Sequence, residues 1–539
     1  MDAVIERLPD DVAELKRLIA QHESTIQRHL DRLETKQTYI ERLEEQLRRM
    51  QQHRFGKRSE KDLNQGELHW FNEAELLAAM QAAQAPVCGA DENDAQGEFC
   101  EVAGHQRKKQ RSHGLPADLP RTDVIHDLSE EEKVCDCGQT LQRIGEDVSE
   151  QLSVIPQQFY VIVHHRLKYA CACKACIRTA AMPPAPLPGS QASPQLLAYS
   201  IVAKLHDGLP LYRQEAMARR EQLELPRAKL ARWHIGTGLA TQPLYNLIQD
   251  AFFDYDIAQS DDTGIQVLKE AGRAPENKSY LWIRRGGPPD KPVVLLDYSP
   301  SKSGETAYGL LSEFRGYLVC DAATNFNLSV KKNGLVPVLC NDHARRKLVE
   351  AIRGLPSKDR VKAWAAAKGV AFYKLLYRIE RDIADYSPVM KVQHRHERAV
   401  PVWDEFIGWA KTIVQEGLAH GSSREALKYL LKHEQGLRRY CEDGRLPISN
   451  ILAEHVAKKV AIARKNFLFA DTPAGAKSTA MNYCLIETAR ANGHNAFQYL
   501  AVVLAALPSA ASLGDYEALL PWNVTPDEIR RRYNGLPAP

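Results

Sequence analysis

The sequence predicts a multidomain α+β protein built around a mixed sheet that gathers acidic side chains at one point. Three observations carry this reading. Between 257 and 326, short apolar runs read as strand, strand, strand, helix and strand. Asp261 ends the first of these runs and Asp321 the last. The flanking stretches are either helical in period or clustered in cysteine, so the core is embedded in other modules. An acid at the end of the first and last strands of such a series is the layout of a ribonuclease H-like core. Carboxylates on neighbouring strand ends converge, and hard divalent cations take oxygen ligands. A pair of Mg²⁺ ions about 3.5–4 Å apart clamps the attacking and leaving oxygens of a phosphodiester. Either aspartate alone is equally well a turn residue or a helix cap; the shared setting of the two points to a site.

Composition sets the outer limits. The 539 residues exceed the roughly 250–300 at which a single core stops growing, and 44% hydrophobic content supplies a core. A net charge of +3 gives no global attraction to nucleic acid, so any basic surface is local. No run approaches the roughly 18 apolar residues of a membrane span, and the acidic, amphipathic start is unlike a signal peptide. Of eleven cysteines, five crowd into two short clusters with metal-ligand spacing, which favours a reducing interior over a disulfide framework. A cytoplasmic protein is expected.

Residues 11–52, the first element, contain neither Gly nor Pro, and Val12, Ile19, Ile26, Leu33, Ile40 and Leu47 recur every seven positions. The facing series is Leu15, His22, His29, Lys36, Leu43 and Met50, apolar only at its ends. This predicts a coiled coil with a polar middle, and hence a homo-oligomer; a single amphipathic helix is the plainer alternative. Residues 85–120 read as a linker carrying the small basic patch Arg107-Lys108-Lys109-Gln110-Arg111. Within 121–182, Cys135 and Cys137 form one knuckle, and Cys171, Cys173 and Cys176 the other. The strand-rich stretch between them includes Phe159-Tyr160-Val161-Ile162-Val163. Two knuckles separated by strands predict a zinc ribbon with four ligands. Five cysteines compete for those places, Cys173 and Cys176 already make a CxxC pair, and His164 and His165 are further donors.

After the prolines at 183, 184, 186 and 188, residues 190–250 read as helices over 195–207, 211–220 and 227–233. The last two have helix-turn-helix spacing, with Arg227, Lys229 and Arg232 on the second as candidate DNA contacts. An ordinary helical hairpin explains the same pattern. The catalytic core is assigned to 251–356 and 446–480. A fifth strand ends at Cys340, and a basic helix with Arg345 and Arg346 comes next. Residues 357–445 are too long for a connection and read as an all-helical insertion, and 481–539 as a C-terminal helical domain. Beyond Pro447 a helix starts with Ser449 or Asn450 as its cap. It carries Glu454, with Leu452, Val456 and Val460 towards the core and Lys458, Arg464 and Lys465 as further DNA-facing cations. Asp261, Asp321 and Glu454 thus form a candidate carboxylate triad for two Mg²⁺, since three acids at one point raise one another's pKa unless cations neutralise them. Glu487 competes for the third place. It lies deep in a later helix and reads as a structural acid, whereas Glu454 stands at a helix N-terminus that favours phosphate oxygens.

At this level the chain resembles the large transposase of the insertion sequence 66 family. The likeness rests on Phe55-Gly56-Lys57-Arg58-Ser59-Glu60-Lys61 after the zipper, Leu115-Pro116-Ala117-Asp118-Leu119-Pro120-Arg121, the cysteine knuckles, and Leu209-Pro210-Leu211-Tyr212-Arg213-Gln214-Glu215. It continues in His343-Ala344-Arg345-Arg346-Lys347, Arg464-Lys465-Asn466-Phe467-Leu468-Phe469, and the run from Leu485 to Gly493. The resemblance implies a bacterial, nucleoid-associated enzyme. It would cleave element ends and transfer their 3′-hydroxyls to target DNA through Asp261, Asp321 and Glu454 with Mg²⁺. Its DNA partners would be terminal repeats and target, with small accessory proteins of the element. Where the family usually has Asp-Glu-Thr, Asp-Gly-Tyr and an Arg after the glutamate, this chain has Asp261-Asp262-Thr263, Asp321-Ala322-Ala323 and His455. Two alternatives stand beside it: a ribonuclease H-like nuclease, and a catalytically impaired zinc-containing DNA-binding regulator.

Overall fold

The computed structural model describes residues 158–170 and 177–537, the strand residues 99–102 and 105–108, and Lys16, His22, Glu23 and Ile26 of an N-terminal helix. Two units are delimited: Lys57–Tyr160, and Met1–Gly56 together with Val161–Pro539. In the first, β1 (Phe99–Val102) and β2 (His105–Lys108) form an antiparallel hairpin, Phe99 opposite Lys108. The stretch expected to be a structureless linker therefore contains a ladder, and Arg107 and Lys108 of the basic patch belong to it. The remainder of the patch, the first cysteine knuckle and most of the heptad series lie outside the described residues.

In the larger unit Ile26, an a-position of the heptad series, is helical and 57% exposed. The run Phe159-Tyr160-Val161-Ile162-Val163 is not a strand, and Val161 is 85% exposed. The ladder lies further on, where β3 (Lys168–Ala170) pairs antiparallel with β4 (Ile177–Thr179) across the second cysteine cluster. Cys171, Cys173 and Cys176 themselves lie outside the described residues.

Helices α1 (Pro194–Leu205), α2 (Leu211–Arg220), α3 (Arg227–Ala240) and α4 (Gln242–Phe253) come next. The third runs seven residues beyond the expected end at Trp233 because a tertiary partner covers it. Gly238 packs so closely on Ser478 that a Cβ there would sit 2.5 Å from its hydroxyl, and the Ser478 hydroxyl and Asn482 amide donate to the His234 carbonyl.

The central sheet comprises β5 (Ile257–Gln266), β6 (Lys278–Gly286), β7 (Val293–Ser299), β8 (Tyr317–Cys320) and β9 (Val336–Leu339), in the order β7-β6-β5-β8-β9. Strands β5, β6 and β7 are antiparallel neighbours, whereas β8 and β9 run parallel to β5. Val293 to Leu296 are all almost fully buried, as expected where helices cover both faces. Pro337 is tolerated because β9 is an edge. Gly316, at φ +110°, precedes β8 where a Cβ would lie 2.2 Å from the Asp256 carbonyl oxygen. Only glycine lets the two parallel strands start this close. Between β7 and β8 lies α5 (Gly304–Leu310), capped by Ser303, and between β8 and β9 lies α6 (Asn327–Asn333).

The segment after α7 (Asn341–Arg353) is helical throughout: α8 (Trp364–Asp382), α9 (Pro388–His394), α10 (Val400–Gln415), α11 (Gly421–Lys432) and α12 (Glu434–Arg438). Its core is aromatic, with Phe372 stacked on Phe406 at 4.6 Å between centroids and Tyr373 edge-on to Trp403. Both α8 and α11 pack on α7. The chain returns in α13 (Ile451–Phe467), which packs on β5 and β6, and α14 (Pro473–Ala491), which packs on β7 and α3. It closes with α15 (Ala496–Ala506), α16 (Leu513–Glu517) and α17 (Pro526–Asn534).

Two expectations about α13 are corrected. Leu452 does not face the core but is 40% exposed; the buried stripe is Ala453, Val456, Ala457, Val460 and Ala463. Asn450 holds the cap position without a side-chain capping bond, and its amide donates to the Ser260 carbonyl at 2.9 Å. That bond ties the start of α13 to β5 beside Asp261.

Candidate active site

Asp261 does not end its strand as expected. It stands midway along β5, which continues to Gln266 because β6 still supplies partners after β8 has ended. The parallel register of β5 and β8 brings the two aspartates together. Gln259 pairs with Val319, and two residues further along each strand come Asp261 and Asp321. Neighbouring strands lie about 4.8 Å apart and side chains alternate, so both carboxylates stand on one face. Asp321, just past β8, accepts the Ala323 N–H at 3.2 Å through Oδ1. Asp261 Oδ1 accepts the Asp262 N–H at 2.8 Å.

The third acid arrives from the return helix. With Asn450 anchored to β5, Glu454 occupies the first turn of α13, one position past the core-facing Ala453. Its Oε1 accepts the Cys340 thiol at 3.3 Å and lies 3.3 Å from His343 Nδ1, and its Oε2 is 3.4 Å from Arg346. Asp261 responds to these surroundings. Burial first, and then the charges of Glu454, Asp262 and Asp321, push its carboxyl up to about 7, against the single opposing Asp262 N–H. The three candidate carboxylates thus share one electrostatic site. Glu487 is a different kind of group. It is buried, yet Lys459 at 2.8 Å and Arg490 at 3.0 Å outweigh the burial and hold it below its ordinary value.

Side chains that sequence reading missed complete the surroundings. Lys302 Nζ lies 2.6 Å from Asp262. Although burial opposes its charge, Asp262, Asp321 and Asp261 together raise its pKa. From the helical segment, Tyr429 faces the acids: burial and then Asp321 push its phenol up to about 12. The Lys347 ammonium stands 4.6 Å from its ring centroid and the His433 ring centroid also lies 4.6 Å away. Cys340 and His343 are spaced C-x-x-H across a strand-to-helix turn, the one local signal by which they could have been found.

The expected DNA-facing cations divide. On α3, Arg227 and Arg232 are exposed, while Lys229 is half-buried, bonded to Gln191 at 2.7 Å and placed over the Trp233 ring. Arg345 is buried, a correction that arises from helical phase: it shares the inward side of α7 with Ala344, Leu348 and Val349. Arg346 beside it is exposed. On α13, Lys465 is exposed and Lys458 half-buried. Arg464 is half-buried and donates to the Gly264 carbonyl, clamping α13 to β5.

The donor set suits hard divalent cations. The charges of Glu454 and Asp321 both act on Asp261, and Lys302 bonds to the neighbouring acid, Asp262.

Comparison with known proteins agrees along the chain. Residues 189–478, more than half of it, match the model described as Transposase IS66 family. Residues 132–174 match the zinc-finger binding domain of transposase IS66, a span that contains four of the five clustered cysteines. Residues 42–124 match Transposase C of IS166 homeodomain, and 484–522 the IS66 C-terminal element. Two relatives come from Sinorhizobium fredii (strain NBRC 101917 / NGR234). The uncharacterized protein y4qI is 30% identical over 456 residues, covering 81% of this chain and 82% of that one. The uncharacterized protein y4jD is 29% identical over 454 residues, covering 82% and 87%. Among the described residues, no helix is long and apolar enough to cross a membrane. With the main match spanning the sheet, the acids and the helical segment alike, the chain belongs to the transposase IS66 family.

Proposed function

We propose that this transposase cleaves DNA phosphodiesters at the ends of its element and transfers the freed 3′-hydroxyls to target DNA. In this reading the sheet and α13 are a ribonuclease H-like core, interrupted by the helical segment over 357–445. The observation that supports it is the raised pKa of Asp261, to which the charges of Glu454 and Asp321 contribute, together with the β5–β8 register that carries the two aspartates. These three residues would hold two Mg²⁺ ions. Once bound, such ions activate the attacking water or 3′-hydroxyl and offset charge growing at the scissile phosphate.

The protein's own groups do the rest. Asp261 gives up its proton when the cations arrive. Asn450 fixes Glu454 against β5, and Arg346 holds its carboxylate in place. Lys302 pairs with Asp262 and offsets part of this fourth negative charge as phosphate approaches. Exposed Arg227, Arg232, Arg346 and Lys465 are the proposed backbone contacts, each adding salt-sensitive affinity. Four of Cys135, Cys137, Cys171, Cys173 and Cys176 would hold a structural Zn²⁺. The zipper over 11–52 would pair two copies so that both element ends are held, in the cytoplasm with the nucleoid, alongside small accessory proteins.

The test is end cleavage on labelled terminal fragments with Mg²⁺. Glu454→Gln should lower cleavage and joining by about a hundredfold or more, the scale of losing one electrostatic contact to a transition state, while DNA binding persists. Glu487→Gln should retain substantial activity. The opposite ranking would remove Glu454 from the site.

A further inference from the structure

Beside the carboxylates lies a second group of donors with different chemistry. Cys340 ends the β9 run and occupies the cap position of α7, and His343 stands in the first turn. Their ligand atoms and a Glu454 oxygen all lie within 4.8 Å of one another. Two of the three separations are those of a coordination polyhedron. Zn–S bonds of about 2.3 Å and Zn–N or Zn–O bonds of about 2.0–2.1 Å give tetrahedral edges of about 3.3–3.6 Å. Cys340 Sγ and His343 Nδ1 each stand 3.3 Å from Glu454 Oε1.

Two further observations set this group apart from an accidental cluster. His343 Nδ1 is buried without a hydrogen-bond partner, although it lies close to the carboxylate. A buried nitrogen left this way calls for an explanation, and a cation between the two atoms supplies one. Cys340 Sγ accepts the Asn450 N–H at 3.3 Å, a contact that steadies a metal-bound thiolate. The set of one sulfur, one imidazole nitrogen and one carboxylate oxygen is too soft for Mg²⁺, which takes oxygen, and suits Zn²⁺ or a similar ion with a fourth position open to water.

We propose that Cys340, His343 and Glu454 form a binding site for a soft divalent cation of the zinc type, and that filling it shuts down strand cleavage. The thiol that now donates to Glu454 would give its place to the ion: the S–H bond breaks, its electron pair stays on sulfur, and the proton leaves to solvent. The inhibitory half of the proposal rests on the catalytic reading above. A Glu454 carboxylate bound to the soft ion is no longer available to the cations at Asp261 and Asp321.

Cobalt(II) tests the site without reference to activity. The full-length protein, with its cysteine knuckles zinc-loaded, is titrated with Co²⁺ and monitored by absorbance. Wild type should bind one equivalent more than Cys340→Ser, and the difference spectrum should show a thiolate-to-cobalt charge-transfer band with tetrahedral d–d bands. His343→Ala, at a half-exposed position, should lose the same equivalent and guards against a folding defect in the serine variant. Superimposable spectra and equal stoichiometry in all three proteins would overturn the site. For the inhibitory half, the ratio of Mg²⁺-dependent cleavage with and without one equivalent of Zn²⁺ is read within each protein. It should fall about tenfold or more in wild type, the scale on which ligand loss alters a metal site, and stay near unity in His343→Ala. Equal ratios in both would overturn it. If wild type shows no Mg²⁺-dependent cleavage at all, the catalytic reading fails, and the cobalt spectrum still decides the site.

Discussion

Replacing Asp261 with asparagine should stabilise the metal-free protein, and the gain should depend on pH. Burial, then Glu454, Asp262 and Asp321, raises the Asp261 pKa from 3.8 to about 7 in the folded state. Linkage gives the sign. Below 3.8 the group is neutral in both states and costs nothing. Between the two values the folded protein must hold a proton that the unfolded chain releases, and above about 7 the folded protein carries a disfavoured charge. The difference amounts to about 4 kcal/mol at pH 8 and about 2 kcal/mol at pH 5. Asparagine keeps an acceptor for the Asp262 N–H and removes the charge. Asp261→Asn should therefore raise the thermal midpoint in a chelating buffer, more at pH 8 than at pH 5. Added Mg²⁺ should raise the wild-type midpoint at pH 8 and leave the variant unmoved. Scanning fluorimetry at the two pH values, with and without Mg²⁺, reads all four conditions. A lower midpoint for the variant at pH 8, or the same increment at both pH values, would refute the reasoning.

Other expectations concern separate parts of the chain. Glu487→Gln should cost about 1–2 kcal/mol, below the usual penalty for breaking a buried pair because Lys459 and Arg490 are each a third exposed; urea unfolding monitored by tryptophan fluorescence measures it. Deleting residues 1–52 should leave a folded protein of lower assembled mass that pairs two DNA ends poorly, and light scattering showing unchanged mass would count against the zipper. One Zn²⁺ per chain should copurify, with Cys135→Ser or Cys171→Ser reducing both metal content and solubility; elemental analysis of fresh soluble protein is the check.

What can be read from sequence, and what cannot, divides by the range of the interactions involved. Short apolar runs put Asp261 in a strand and Asp321 just past one because strand alternation and burial are local properties. The break at Pro447 locates Glu454 because helix starts carry local signals. The position of Asp261 within its strand is not local: β5 continues to Gln266 only because β6, from another part of the chain, lies alongside it. Leu452 and Arg345 depart from expectation for a related reason. Helical period gives the relative angles of side chains but not which direction faces inward, and that is decided by β5 for α13 and by α8 and α11 for α7. The hairpin Phe99–Val102 with His105–Lys108 is a pairing that composition, rich in small and polar residues, hides.

The same distinction explains why Cys340 and His343 are silent in the sequence. Each is ordinary by itself, a buried thiol at a strand end and an imidazole in a basic helix. They acquire meaning only when α13, more than a hundred residues later, brings Glu454 to 3.3 Å from both. The Asn450 amide, reaching the Ser260 carbonyl, helps to fix that placement. This hydrogen bond, with the Arg464 clamp and the packing on β5, holds Glu454 between the candidate carboxylates on one side and the sulfur and nitrogen on the other. Asn450→Ala should disturb both together. The pH-dependent effect of Mg²⁺ on the thermal midpoint and the cobalt charge-transfer band should weaken in parallel, whereas His343→Ala should abolish the cobalt band and spare the Mg²⁺ effect. If Asn450→Ala alters only one of the two, Glu454 is held by contacts other than this bond.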